Sequence, residues 1–185
     1  TYWEKCDRVA LTVPVLAKEF GAYSHACSST FHANISSFSF DLRLPMEPSE
    51  CGVKVKIAPD HDIDVLRAIR EACGDALVLQ ADANAAYSRQ EIDHLYSLDE
   101  FNLQFIEQPF AAGDLESHAE LARRSHTAVC LDESICTVDE LLNAIEIKAC
   151  SVVNIKPSRV GGIGAAVQMH HIVKSHGIDA WVGGM

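Results

Sequence analysis

The chain has 185 residues and is 48% hydrophobic, which is enough for one sizeable globular core. Its formal net charge of −11 argues against a nucleic acid or an anionic membrane surface as partner. The sequence shows neither a basic-plus-apolar leader nor an apolar run of about 18 residues, so it predicts a cytoplasmic protein without a membrane partner. The seven cysteines form no Cys-x-x-Cys pair and are expected to be reduced thiols.

The first 52 residues follow no single pattern, and residues 1–34 carry no assignment. From Phe38 to Leu44, apolar residues alternate with polar ones, which predicts a half-buried strand. Pro45 follows directly, so the strand is expected to end there. We therefore treat residues 1–52 as an unassigned N-terminal segment.

From residue 53 onward, short apolar runs alternate with helical patterns. The predicted strands are 53–57, 76–82, 103–107, 128–132, 151–156 and 180–183. The predicted helices are 62–73, 88–98, 114–124, 137–149 and 162–176, of which the second and the fourth begin with capping boxes. No hairpin signal interrupts this order, so the pattern predicts a parallel sheet.

Five charged residues lie at nearly equal intervals, each at or near the end of a predicted strand. They are Lys56, Asp82, Glu107, Asp132 and Lys156, separated by 26, 25, 25 and 24 residues. An interval of about 25 residues fits one strand, one helix and two short loops. In a parallel β/α barrel the carboxyl ends of the strands meet at one face, where the active site lies. The order of one base, three carboxylates and a second base therefore predicts a metal site flanked by two lysines.

The three carboxylates also predict the kind of metal. Asp82, Glu107 and Asp132 offer only oxygen ligands, and no His or Cys stands at an equivalent place. Hard oxygen ligands suit Mg²⁺ first and Mn²⁺ second. For any one of these residues taken alone, the alternative is a helix cap or a solvated loop acid.

The lysines predict proton transfer. Lys54 and Lys56 have the same parity on their strand, so both side chains are expected to point into the barrel. A lysine buried beside another lysine loses its proton readily and can act as a base near neutral pH. Lys156 is four strands further on and is expected to lie across the barrel, which suggests chemistry at a carbon α to a carboxylate. The alternative is that these are surface lysines with partly buried stems.

Further polar residues share the inward parity of the predicted site. Asn84 follows Asp82 by two residues and Asn154 precedes Lys156 by two, so both are expected to support the pocket. The alternative for both is hydrogen bonding within a loop. Glu133 has the opposite parity to its neighbour and is expected to be the partner of an adjacent strand or helix.

Most of these residues lie in six short motifs, which are Lys54–Lys56, Gln80–Asn84, Phe105–Pro109, Leu131–Ser134, Asn154–Gly162 and Trp181–Met185. The motifs resemble those of the enolase superfamily, muconate-lactonizing subgroup. The resemblance is nearest to the o-succinylbenzoate synthase and N-acylamino acid racemase family. The order of the motifs covers residues 53–185 and includes one departure, because Ser158 stands where the family usually has glycine.

The resemblance implies roles for individual residues. Asp82, Glu107 and Asp132 become the Mg²⁺ ligands, for which Mn²⁺ is a possible substitute. Lys56 and Lys156 become the acid and base. The residues implied in support of the lysines or in substrate binding are Lys54, Asn84, Asn154, Gly183 and Met185.

The resemblance also implies a fold and a domain organisation. The expected fold is a TIM-type (β/α) barrel of the enolase superfamily, incomplete at about six strands, with most of the capping domain missing. The chain starts at Thr1 and ends on a Gly-Gly-Met strand end, so we expect both ends to be cut. Residues 53–185 form the partial barrel, and residues 1–52 stay unassigned, with a remnant of the capping domain as one interpretation.

The implied function is a Mg²⁺-dependent dehydration that forms o-succinylbenzoate in menaquinone synthesis. One alternative is N-acylamino acid racemisation or another racemase or cycloisomerase activity, because these reactions use the same residues. A second alternative is an inactive, truncated remnant that keeps the ligands without a closed pocket. The expected partner is a small carboxylate substrate, and the complete parent enzyme is expected to be a homo-oligomer.

Overall fold

The computed structural model describes residues 30–33 and 52–184. The strand predicted from Phe38 to Leu44 and the site residue Met185 lie outside these ranges. The chain divides into two compact units, the first ending at Ala81 and the second beginning at Asp82. The described part of each unit contains strands and at least one helix.

The first unit contains, in its described part, two strands, one helix and all but the last residue of a third strand. Strand β1 is Thr30–Ala33, β2 is Gly52–Lys56, α1 is Ile63–Cys73, and β3 begins at Val78 and ends at Asp82. Strands β1 and β2 are parallel, with Phe31 opposite Val53. The sequence pattern does not predict β1, because a four-residue run in polar surroundings carries no clear alternation.

The helices of the second unit have short turns at their ends. A 3₁₀ turn at Arg89–Glu91 leads into α2, Ile92–Ser97, and a second 3₁₀ turn, Leu98–Phe101, follows it. The prediction of one helix over 88–98 is therefore corrected to three short pieces. The Ser97 hydroxyl donates to the His94 carbonyl oxygen at 2.6 Å, a local bond that competes with continued α-helix.

The remaining helices follow their predicted starts closely. Helix α3 is Leu115–Arg124, α4 is Val138–Glu146 and α5 is Ile163–Ser175. Thr137 Oγ1 accepts the Glu140 N–H at 3.2 Å, and the Glu140 carboxylate accepts the Thr137 N–H at 2.9 Å. The predicted capping box of α4 is thus present, although α4 ends three residues before the predicted Ala149. In the described residues, no helix is long and apolar enough to cross a membrane.

The strands of the second unit form a parallel array. Strand β4 is Phe105–Glu107, β5 is Ala128–Leu131, β6 is Val152–Ile155 and β7 is Asp179–Val182. They hydrogen-bond in the order β4-β5-β6-β7. All six predicted strands are present with bounds within two residues of prediction, and the parallel arrangement is confirmed.

The helix-facing side of this array is buried. Residues pointing to the helices are buried, as expected for parallel strands between packed layers. They include Ile106, Val129, Leu131, Val153 and Ile155 on the strands and Leu121, Leu141, Met169 and Val173 on the helices. On the other face, the rings of Phe105 and Trp181 stack with centroids 6.5 Å apart, although their strands are separated by two others. The second unit therefore curls strongly enough for distant strands to share an interior.

At the amino ends of β4 and β5, one carboxylate fixes the entry into β5. Asp99 accepts hydrogen bonds from the Ser125 hydroxyl at 2.6 Å and from the His126 and Thr127 N–H groups, both at 2.9 Å. Burial of Asp99 opposes its ionisation, but the hydrogen bonds from these three residues outweigh burial and place its pKa below the ordinary value. We call Asp99 with residues 125–127 the amino-end clamp.

Candidate active site at the carboxyl ends of the strands

The predicted carboxylates and Lys156 occupy equivalent places in the second unit. Asp82 and Glu107 are the last residues of β3 and β4, Asp132 follows β5 and Lys156 follows β6. The carboxyl ends of parallel strands lie at one edge. The three acids are almost fully buried, with exposed fractions of 3%, 1% and 1% in chain order. Buried acids need hydrogen bonds or cations around them, which makes their neighbours informative.

Asp132 lies between two cationic side chains. Lys156 Nζ donates to Asp132 Oδ2 at 2.7 Å. Arg159 Nη1 is 2.6 Å from Asp132 Oδ1, but it is not aligned as a hydrogen bond. Oδ1 therefore has a close positive charge without a directed donor among the described residues.

Glu107 is held by an amide from two strands away. Asn154 Nδ2 donates to Glu107 Oε1 at 3.0 Å, and Asn154 itself is fully buried. Gly183 packs directly against this amide, because a Cβ at Gly183 would lie 2.4 Å from Asn154 Oδ1. Asn154 Oδ1 has no hydrogen-bond partner among the described residues. Asn154 and Gly183 thus form one packed pair beside Glu107.

Asp82 is linked to the loop that follows it. The Asn84 N–H donates to Asp82 Oδ1 at 3.2 Å, and Asn84 Nδ2 donates to Glu133 Oε1 at 3.2 Å. Asn84 has a positive φ of 43°, a conformation that Asn tolerates better than most residues. The side chain is exposed, so Asn84 connects two strand-end loops at the rim of the site.

The other predicted lysines belong to the first unit. Lys54 is 2% exposed and Lys56 is partly exposed, both on β2. Their interior orientation and the predicted opposition of Lys56 and Lys156 stay predictions.

The donor chemistry of the second unit fits a hard divalent cation. Asp82, Glu107 and Asp132 are buried carboxylates at one edge. Asp132 and Asn154 follow the paired residues Leu131 and Val153, respectively, and each has an Oδ1 atom without a hydrogen-bond partner among the described residues. No cluster of three or more acidic, His or Cys side chains able to hold a metal occurs in residues 52–184. Asp132 is instead engaged by Lys156 and Arg159. The residues thus match Mg²⁺ in donor type and burial, while the structure does not gather them into a ligand cage.

Two residues of the site carry no role in the sequence-based prediction. Gln108 and Arg159 lie inside the motifs quoted above, but residue type alone suggests no task for them. Arg159 donates from Nε to the Ile135 carbonyl oxygen and from Nη2 to the Asn154 carbonyl oxygen, each at 3.0 Å. It therefore joins the turn after β5 to β6. The only signal for either residue is its place just after a strand end, at Gln108 one residue and at Arg159 four residues beyond it.

Comparison with known protein families gives one match over most of the chain. The family described as Enolase C-terminal domain-like matches residues 50–185. This range includes all the carboxylates and lysines of the predicted site.

Individual relatives agree with that match. An o-succinylbenzoate synthase from Bacillus subtilis is 44% identical over 133 residues, which are 72% of this chain and 36% of the synthase. An N-succinylamino acid racemase from Amycolatopsis is 47% identical over 133 residues, again 72% of this chain and 36% of the relative. The chain therefore spans about a third of the length of these relatives.

A solved structure supports the fold. A member of the enolase superfamily from Listeria innocua matches with a TM-score of 0.69 and 40% identity, covering 72% of this chain and 36% of that protein. The predicted fold class is thereby confirmed. The chain is an α/β protein of the enolase-superfamily barrel type and spans part of such a protein.

Proposed function

We propose a function from the premise that this chain belongs to the Enolase C-terminal domain-like family. It provides the catalytic edge of a Mg²⁺-dependent lyase similar to o-succinylbenzoate synthase, in menaquinone synthesis. Its substrate is a small cyclohexadiene carboxylate. A homo-oligomeric parent enzyme and a cytoplasmic location belong to the same proposal.

The observation that carries the proposal is the ion pair between Lys156 and Asp132. Its 2.7 Å contact joins a predicted acid/base residue to a predicted metal ligand at the ends of adjacent strands. The pair fixes the direction of a long, otherwise flexible side chain. A proton donor or acceptor with a fixed direction is what stereospecific proton transfer requires.

Asp82, Glu107 and Asp132 would hold Mg²⁺, or Mn²⁺ in its place. When bound, the cation supplies positive charge that stabilises the negative charge developing on the substrate carboxylate. Asn154 orients Glu107 through the 3.0 Å hydrogen bond, and Gly183 keeps that amide in place. Hydrogen-bonded partners of this kind fix the orientation of metal-binding carboxylates.

The lysines move the proton. In the dehydration, Lys56, supported by Lys54, takes the proton from the carbon α to the carboxylate. Protonated Lys56 would return that proton to the hydroxyl that leaves the adjacent carbon, so water departs while one C–H and one C–O bond break and a C=C bond forms. Lys156 would act from the opposite face of the substrate and balance the negative charge of the reacting carboxylate. Asn84 and Met185 would contact the substrate.

A second candidate activity uses the same groups. In N-acylamino acid racemisation, one lysine removes the α-proton and the other returns a proton from the opposite face. The similarity to the Amycolatopsis racemase, slightly higher in identity than that to the synthase, favours keeping this activity.

The experiment that tests the proposal compares Lys156→Ala with Lys174→Ala in the Mg²⁺-loaded chain. Lys174 is exposed and pairs with Asp179, so its loss is expected to leave turnover unchanged. Water loss from the cyclohexadiene carboxylate is followed by absorbance, and α-proton exchange of N-succinyl amino acids in D₂O is followed by NMR. Lys156→Ala should abolish racemisation and dehydration but retain α-proton exchange of one enantiomer.

Full turnover in Lys156→Ala would contradict the assignment of this lysine. If the unaltered chain turns over neither substrate but still binds Mg²⁺, the inactive remnant becomes the better account. Loss of turnover in Lys174→Ala as well would show that the assay reports folding rather than chemistry.

A further inference from the structure

The side-chain amide of Gln108 joins the turn after β5 to the end of β4. Gln108 is fully buried, and its Oε1 accepts the Asp132 N–H at 2.9 Å and the Ser134 N–H at 3.1 Å. The backbone N–H of Gln108 donates to the Cys130 carbonyl oxygen at 2.8 Å. We call Gln108 with Asp132 and Ser134 the carboxyl-end clamp.

The other half of the amide is also satisfied. Gln108 Nε2 donates to Ser134 Oγ at 2.7 Å and to the Phe110 carbonyl oxygen at 3.0 Å. His118 closes the far side, with Nε2 3.3 Å from Gln108 Nε2 and 3.4 Å from the Phe110 nitrogen. His118 Nδ1 is 2.7 Å from the Asp114 carbonyl oxygen, which can only accept, so Nδ1 carries the proton and Nε2 is an acceptor. The amide therefore has one orientation.

Gln108 is also the residue after Glu107. It thus connects the backbone of one predicted metal ligand to the backbone N–H of another, Asp132, across adjacent strands. We propose that Gln108 is a positioning residue, which holds Asp132 in register with Glu107 so that both carboxylates can serve one cation. The proposal rests on the proposed metal site, but the clamp is a property of the chain without metal.

The chemistry of an amide suits this place. A leucine would leave the buried N–H groups of Asp132 and Ser134 without their acceptor, which is costly in an apolar interior. A glutamate could still accept both, but it would add a negative charge beside Glu107 and Asp132 and could not donate to the Phe110 carbonyl oxygen. A neutral group that both donates and accepts avoids each problem.

A purely structural role is the competing explanation, and the amino-end clamp provides its matched control. Asp99 also accepts two backbone N–H groups next to β5, but at the opposite end of the strand. Replacing Asp99 therefore also leaves two backbone N–H groups beside β5 without their acceptor, away from the carboxylates. If Gln108 only stabilises the fold, the two replacements should affect metal binding alike.

The experiment compares Gln108→Leu, Gln108→Asn and Asp99→Ala in the 185-residue chain. In metal-free protein, NMR hydrogen exchange should become faster at the Asp132 and Ser134 amides in both Gln108 variants. Titration with MgCl₂ and MnCl₂ should show affinity about 10- to 100-fold weaker in the Gln108 variants, the range typical of residues that orient ligands. Asp99→Ala should bind within about twofold of the unaltered chain, even with a comparable loss in melting temperature.

The proposal is overturned if the affinities of the Gln108 and Asp99 variants fall in parallel with their melting temperatures. It is also overturned if exchange at Asp132 is unchanged in a folded Gln108→Asn variant. Absence of binding in the unaltered chain would contradict the proposed function, and the exchange result would then decide the clamp by itself.

Discussion

The two ends of the β4–β5 pair are fixed by the same device with different chemistry. At the amino ends, a partly exposed carboxylate, Asp99, accepts the N–H groups of residues 126 and 127. At the carboxyl ends, a fully buried neutral amide, Gln108, accepts those of Asp132 and Ser134. Asp99 holds the residues just before β5, and Gln108 holds the residues just after it.

The difference shows how charge is distributed along a β/α unit. A carboxylate is the stronger acceptor and is tolerated at the amino ends, where the site's acids are absent. At the carboxyl ends, Glu107 and Asp132 already place two acids in the interior, so a neutral acceptor avoids further repulsion. In a barrel of this kind, the chemistry lies at the carboxyl ends of the strands.

The largest effect on stability is expected from Gly183→Ala. The added Cβ would lie 2.4 Å from Asn154 Oδ1, so the amide must move and release Glu107. Overpacking together with the loss of a hydrogen bond to a buried charge should cost about 2–4 kcal/mol of unfolding free energy, measured by urea denaturation.

Gly184→Ala is the matched control, because a Cβ there has no atom within 4 Å among the described residues. It should change the unfolding free energy by less than about 0.5 kcal/mol. Equal effects of the two replacements would mean that the carboxyl ends are not packed as tightly as the contact of Gly183 with Asn154 indicates.

A smaller effect on stability should appear at different pH values for Asp99 of the amino-end clamp and for His118, which contacts Gln108 of the carboxyl-end clamp. Burial lowers the pKa of His118 below its ordinary value of 6.5, against the Asp114 carbonyl hydrogen bond that raises it. The folded state therefore binds this proton less readily than the unfolded state, and stability should fall as pH drops below about 6.5. Asp99, with a lowered pKa, contributes stability above its ordinary value of 3.8 and loses it as pH falls through the folded pKa.

These two pH windows are tested by urea denaturation between pH 7 and pH 3, carried out on the unaltered chain, His118→Gln and Asp99→Asn. His118→Gln should flatten the loss near pH 6, and Asp99→Asn should flatten only the loss below about pH 4. A variant curve parallel to that of the unaltered chain in its own window would show that the residue does not contribute there.

The alternation of elements was predictable because it depends on local patterns. A few neighbouring residues are enough to predict each of these features: the strand runs, the Asp114 cap of α3 and the capping box of α4. The regular spacing likewise located Asp82, Glu107, Asp132 and Lys156 at strand ends. What repeats with the architecture can be inferred from the sequence alone.

The contacts between strand ends were not predictable in the same way. Gln108 interacts with residues 24 and 26 positions away, and nothing in its immediate neighbours specifies which backbone groups will meet it. Strand β1 was missed because four residues give too little alternation. The helix predicted over 88–98 is three short pieces, and a local Ser97 hydrogen bond lies at one of the two boundaries. Such features depend on tertiary packing or on competition between weak local signals.

The most direct test of the account is calorimetric titration of the chain with Mg²⁺. The unaltered chain and Asp139→Ala, which removes an exposed acid of α4, should each show one site, whereas Asp132→Ala should show none. Unchanged binding in Asp132→Ala would contradict the central claim that the carboxyl ends of these strands form a cation site.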